Sequence, residues 1–144
     1  MSEASRSIVI DRPLDEVFAF FADAENDPKW RTGVKEIRRL GDLAVGAKYH
    51  QRVAGPAGSA IDADLEVTAY EPGVRVAFHT IAGPVRPDGE YRFRAVAGAT
   101  EVTFSLSVEL SGIKRVAMGQ AVQKSMDAEV AGLDRAKSVL ETRD

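Results

Sequence analysis

The sequence predicts an α+β fold in which a strongly curved antiparallel sheet of about seven strands wraps around one long C-terminal helix, with two short helices after the first strand. Three observations predict it. Between Val34 and Leu110, short segments of alternating apolar and polar residues are separated by glycine and proline turns. After Ser111-Gly112 the apolar spacing changes to steps of three or four, with no proline to interrupt it. Ahead of both, the β-branched run Ile8-Val9-Ile10 gives way at Pro13 to an aromatic-rich segment.

Ser7 to Asp11 is expected as the first strand, ending at Pro13, which cannot donate to a ladder but suits the first position of a helix. Asp15 and Glu16 place negative charge in the first turn, and Val17, Phe18, Phe20 and Phe21 supply an apolar face. This helix is expected to end near Ala24. Asn26-Asp27-Pro28 reads as a breaker cluster, and Lys29-Trp30-Arg31 as a short second helix or turn that tucks the tryptophan inward, before Gly33 releases the chain into strand.

Turn signals at Gly41, Gly46, Gly55-Pro56-Ala57-Gly58, Pro72-Gly73, Gly83-Pro84, Asp88-Gly89 and Gly98 divide the strands that follow. Ile61, Ala63, Leu65, Val67 and Ala69 fall on one face, with Asp62, Asp64, Glu66 and Thr68 on the other. Val74, Val76, Phe78 and Thr80 form a second inward row, Tyr91, Phe93 and Ala95 a third, and Val102, Phe104, Leu106, Val108 and Leu110 a fourth. Met118, Val122, Met126, Val130, Leu133, Lys137 and Leu140 then mark one helix from Ile113 to Thr142. At 1.5 Å per residue it would be roughly 45 Å long, enough to lie over the whole dry face.

Composition narrows the function classes. A chain of 144 residues with 44% apolar content fits a single domain over 1–144. Its 19 Lys+Arg and 22 Asp+Glu are interspersed, leaving a net charge of -3, so the concentrated positive charge of a nucleic-acid surface is not expected. With no cysteine there is no disulfide, thiolate nucleophile or Cys-ligated zinc, which suits a reducing, cytoplasmic location. No secretory leader is apparent at the start of the chain, and no apolar run approaches the roughly 20 residues of a membrane span, so a soluble protein without stable membrane insertion is expected.

Few residues suggest chemistry. Alternation turns His50 and His79 outward, and a one-residue bulge would reverse either assignment. Neither HExxH nor another metal-ligand spacing occurs, so no metal or cofactor is expected. Ala54-Gly55-Pro56-Ala57-Gly58-Ser59-Ala60 lacks the Gly-Lys-Ser/Thr of a phosphate loop and reads as a hairpin turn. Asp62, Asp64 and Glu66, at period two, read as a solvated strand face in preference to an acid-base pair.

What remains is a container. Tyr49, Gln51, Thr80 and Tyr91 are the inward polar residues able to meet a ligand, or to form hydrogen bonds within a core. Arg86, between Val85 and Pro87, either reaches a cavity mouth to hold an oxyanion or is a surface arginine. Met118, Val122 and Met126 would line an adaptable apolar wall or fill the core. With Trp30, Phe78, Phe93 and Phe104 these complete the candidate ligand cavity, which small inward residues such as Ala63, Ala69 and Ala95 would widen.

The residues Ile10-Asp11-Arg12-Pro13-Leu14-Asp15-Glu16-Val17-Phe18-Ala19-Phe20-Phe21-Ala22-Asp23, then Pro28-Lys29-Trp30 and Gly33-Val34-Lys35-Glu36-Ile37, carry a resemblance to a known family. Tyr70-Glu71-Pro72-Gly73, Gly98-Ala99-Thr100-Glu101-Val102-Thr103-Phe104 and the closing Leu133-Asp134-Arg135-Ala136-Lys137-Ser138-Val139-Leu140-Glu141 extend it over the whole chain. The chain resembles the START-related helix-grip superfamily, SRPBCC, in its polyketide cyclase/dehydrase and lipid-transport branch.

That resemblance implies a helix-grip fold and a cavity for a small hydrophobic molecule such as a lipid, polyketide or isoprenoid. Shielding roughly 300 Å² of such a ligand contributes several kcal/mol before entropic costs. It also implies two rivals. One is a cyclase or dehydratase that polarises a carbonyl through Tyr49, Tyr91 or Arg86. The other is a module that binds a protein client or a second copy of itself as a homodimer.

Overall fold

The first strand owes its length to its partner as much as to its own residues. The computed structural model, which describes residues 2–55 and 58–143, extends β1 over Ser2–Ile10, well ahead of the expected start at Ser7. All of β1 pairs antiparallel with β8 (Ala99–Val108), and the polar stretch is held by hydroxyl pairs, Ser5 to Ser105 at 3.0 Å and Ser7 to Thr103 at 2.7 Å.

Helix α1 spans Leu14–Ala22, with Pro13 just ahead of it in extended conformation. It ends two residues before Ala24 because a 3-10 helix, Ala24–Lys29, takes over and contains the Asn26-Asp27-Pro28 cluster expected only to break the chain. Asp23 caps this turn by accepting the Glu25 N–H at 3.1 Å. Trp30 follows directly and is buried.

The remaining strands are β2 (Val34–Leu40), β3 (Lys48–Ala54), β4 (Ala60–Asp62), β5 (Leu65–Glu71), β6 (Arg75–Thr80) and β7 (Asp88–Val96). The antiparallel path runs β1-β8-β7-β6-β5-β3-β2, and short β4 pairs with the end of β3. The pairing of Ala54 with Ala60 frames the glycine-rich turn, of which Pro56 and Ala57 lie outside the described residues.

Simple alternation fails at four places on the dry face. Ala63 and Asp64 interrupt the row between β4 and β5, where Ala63 N–H donates to the Gln51 carbonyl at 2.8 Å. A bulge between Val67 and Ala69 then shifts the phase, so that Tyr70, not Ala69, packs on the core, its ring 5.7 Å from that of Phe18. Ala95, expected inward, is exposed near the β7–β8 hairpin, and Val74 is exposed in the turn before β6.

The expected long C-terminal helix is present over 112–141, with one irregular turn that marks off α2 (Gly112–Ala131) from α3 (Leu133–Glu141). The division falls at Gly132, whose N–H reaches back to the Glu129 carbonyl at 3.0 Å. Both helices are fastened over the edge strand β1. Arg6 donates to the Ala131 carbonyl at 3.1 Å, Gln123 to that of Glu3 at 2.7 Å, and Lys137 to that of Val9 at 2.7 Å. Arg12 receives the far end, donating to the carbonyls of Leu140, Glu141 and Arg143. Among the described residues no helix is long and apolar enough to cross a membrane.

Burial is uneven along α2. No residue before Val122 is buried, and Ile113 and Val116 are 86% and 89% exposed, whereas Val122, Met126 and Val130 enter the core. The C-terminal half therefore grips the sheet, while the N-terminal half overhangs it.

Candidate functional site

The hollow between sheet and helices is filled chiefly by aromatic rings. Trp30 lies 5.6 Å from Phe21, 5.9 Å from Phe104 and 6.5 Å from Tyr91 by ring centroids, and Tyr91 stacks on Phe104 at 4.5 Å. Phe18 meets Phe93 edge-on at 5.1 Å. These contacts leave an internal void of about 20 Å³, walled by Phe21, Ala22, Ala24, Tyr49, Leu65, Val67, Val76, Phe78 and Tyr91, with Asp27 as its one acidic side chain. That volume suffices for one water molecule and is far below the several hundred Å³ of an open ligand pocket.

A buried polar cluster adjoins the void. Arg31 donates from Nε to Glu129 Oε2 at 2.8 Å and from Nη2 to Oε1 at 3.4 Å; its Nη1 donates to Asp27 Oδ2 at 2.8 Å and to Gln51 Oε1 at 3.0 Å. Gln51 in turn donates from Nε2 to the Ala63 carbonyl at 2.8 Å. The cluster thus ties the 3-10 helix, β3 and α2 together. Among the described residues, two buried side-chain polar atoms have no partner: Asp27 Oδ1 and Trp30 Nε1. Each such group carries a desolvation cost of about 1–3 kcal/mol that a water or ligand would relieve.

Burial moves the protonation equilibria here. It pushes the Asp27 carboxyl up to about 6, against the nearby Arg31 that favours its charged form. Burial acts to lower Arg31, but Glu129 and Asp27 outweigh it and hold the guanidinium charged. The Tyr91 hydroxyl is driven well above its ordinary range, first by burial and then by Asp27.

The candidate residues fall into distinct places. Tyr49, Phe78 and Tyr91 wall the void. The Tyr49 hydroxyl is already engaged, donating to Asp23 Oδ1 at 3.1 Å and accepting the Ala24 N–H at 3.2 Å; burial is the first reason its pKa rises to about 12. Gln51 belongs to the polar cluster. Trp30, Phe93, Phe104, Val122 and Met126 are core residues, with half-buried Met118 packed against them. Thr80 is buried at the end of β6. Arg86 is exposed, donates to the Gly83 carbonyl at 3.1 Å and does not line the void.

Outside the hollow, the sheet's outer face carries an open depression of about 510 Å³, bordered by Ser5, Ser105, Ser107, Arg75 and Glu90 among others. It is larger than the void and mixes these polar residues with Ala4, Ala77, Phe78 and Leu106; Arg75 and Glu90 in it pair with each other at 2.6 Å. His79 lies 2.8 Å from Asp88, and His50 lies 3.2 Å from Asp64 and 3.7 Å from Glu36. Among the described residues no group of three or more His, Asp or Glu side chains forms a metal site.

Sequence reasoning missed Asp27, Arg31 and Glu129. The available signal was the four-residue spacing of Asp27 and Arg31 around the sole tryptophan.

A family model described as polyketide cyclase/dehydrase and lipid transport matches residues 1–141. The chain belongs to this family. Membership of the polyketide cyclase/dehydrase and lipid-transport family supports a hydrophobic ligand-binding module as its coarse description.

Solved structures agree on the fold. Protein TTHA0849 of Thermus thermophilus is 19% identical with a TM-score of 0.78, over 98% of this chain and 99% of that one. A Deinococcus radiodurans protein is 23% identical with a TM-score of 0.71, over 97% and 98%. The di-domain ARO/CYC BexL from the BE-7585A biosynthetic pathway is 20% identical with a TM-score of 0.74; it matches all of this chain, which spans 48% of that one. No curated protein sequence matches significantly.

Proposed function

We propose that this protein binds a small, mainly apolar molecule in the hollow between its sheet and the α1 and 3-10 segment, and that the hollow must open to receive it. The observation that carries this reading is the unpartnered Asp27 Oδ1, buried in an otherwise apolar and aromatic wall beside a void. A core built only for stability gains nothing from an unpaired carboxylate oxygen, whereas a receptor uses such a group to orient its ligand.

One feature supports opening at modest cost. Phe78 is only half-buried and stands over Gly89, so its ring forms a movable wall. The test is mass spectrometry of an organic-solvent extract of the purified native protein, which is expected to yield an apolar compound in near-stoichiometric amount. An empty extract, together with no binding of an apolar dye, contradicts the reading.

Asp27 also favours a second reading. A buried carboxyl titrating at about 6 beside Tyr91 is suited to proton transfer, as a cyclase or dehydratase requires. Turnover of a poly-β-ketone substrate that is lost in Asp27→Asn while binding persists is the result this reading expects; no turnover by the native protein excludes it for that substrate.

A further inference from the structure

The polar cluster also constrains the chemistry of the ligand, an inference that rests on the binding reading above. Asp27 is 4% exposed; its Oδ2 is held by Arg31 at 2.8 Å, and its Oδ1 has no partner. Arg31 is the single cation of the cluster and faces two carboxylates, Asp27 and Glu129. Four hydrogen bonds to protein occupy four of its five N–H donors, and the Gln51 amide is engaged at both ends. The cluster therefore sets two carboxylates against one cation, and the unpartnered oxygen belongs to a residue that lines the void.

We infer that the hollow selects neutral apolar molecules bearing a hydroxyl that donates to Asp27 Oδ1, and discriminates against the corresponding carboxylates. A hydroxyl supplies the hydrogen bond that Oδ1 lacks. A carboxylate would bring a second negative charge against Asp27 in a site where burial magnifies repulsion, and its oxygens could not donate. The void's volume equals that of a single bound water, so a ligand hydroxyl reaching Oδ1 would take the place such a water would hold.

The experiment is calorimetric titration of the native protein at pH 8 with two matched pairs, 2-naphthol with 2-naphthoate and 1-decanol with decanoate, covering a ring and a chain. The alcohol of at least one pair is expected to bind at least tenfold tighter than its acid. Asp27→Asn should narrow that ratio to less than threefold. Because that variant disturbs the Arg31 contacts, Glu129→Gln provides a second arm: it leaves Asp27 in place, removes the excess negative charge, and should strengthen carboxylate binding while alcohol binding changes little. An acid that binds the native protein as tightly as its alcohol overturns the selectivity while leaving ligand binding intact. If none of the four binds and solvent extracts are empty, the binding reading fails and takes this inference with it.

Discussion

The indole of Trp30 lies so close to Gly132 that a Cβ built on the glycine would stand 3.4 Å from ring atoms Cε3 and Cζ3. The division between α2 and α3 therefore falls where the helical segment presses bare backbone onto the central tryptophan. The backbone of Gly132 is right-handed helical, with φ -62° and ψ -14°, so the requirement is for space and not for glycine's conformational freedom. Gly132→Ala should change stability by less than about 1 kcal/mol, because gained helix propensity offsets slight crowding. Gly132→Leu should cost about 1–3 kcal/mol as it drives α2 away from Trp30. Urea denaturation followed by Trp30 fluorescence measures both; equal effects of the two substitutions would refute the close-packing account.

The buried carboxyl makes stability depend on pH with a defined sign. Asp27 titrates at about 6 when folded, against an ordinary 3.8, so between these values the folded state holds more protons than the unfolded. Its contribution is therefore fully present below about pH 4 and is lost as pH rises through 6, by up to about 3 kcal/mol. Glu90, Asp134 and Glu141 act oppositely in the acid range. Burial raises Glu90, but Arg75 and Arg92 outweigh it; a hydrogen bond from Arg6 lowers Asp134, and one from Lys137 lowers Glu141. Their contributions are lost as pH falls below about 4. Thermal unfolding of the native protein should give a higher Tm at pH 5 than at pH 7.5, and Asp27→Asn should abolish most of that difference.

Arg31 joins Asp27 to Glu129, residues from segments far apart in the chain. Arg31→Ala should destabilise the fold by about 3–5 kcal/mol, since it leaves two carboxylates together with one fully buried. Chemical denaturation tests this, and a loss under 1 kcal/mol would mean that solvent reaches the cluster freely.

Phe78 walls the void, and its ring covers Gly89 so closely that a Cβ there would meet Phe78 Cζ at 2.1 Å. Phe78→Ala should enlarge the void at a cost of about 2–3 kcal/mol, the low end for loss of a core aromatic because the ring is only half-buried. If space limits entry, the same variant should bind an apolar dye at least fivefold more tightly than the native protein, as read by dye fluorescence.

The strand rows of β7 and β8 were legible because Tyr91, Phe93, Val102, Phe104, Leu106 and Val108 alternate without interruption and are all buried. The row through β4 and β5 was legible only in part, since the bulge after Val67 exchanges Ala69 for Tyr70 without any glycine or proline to mark it. The division at Gly132 was hidden by apolar spacing that continues from Val130 to Leu133, as a helix that only narrows its turn would show. Asp27 and Arg31 showed only as a four-residue spacing, and their link to Glu129 was hidden because Arg31 and Glu129 meet across 98 positions, where local pattern carries no information. The size of the interior void depends on how rings stack, which neither composition nor periodicity specifies.

Trp30, the sole tryptophan, packs against Phe21 and Tyr91 in the wall of the void and so reports on it at close range. Titrating the native protein with an apolar fluorophore that accepts energy from tryptophan should quench Trp30 emission along a saturable curve for one site, and displacement by the alcohols named above should restore it. Emission that stays constant up to the solubility limit of the fluorophore would contradict the claim that this hollow opens to a ligand.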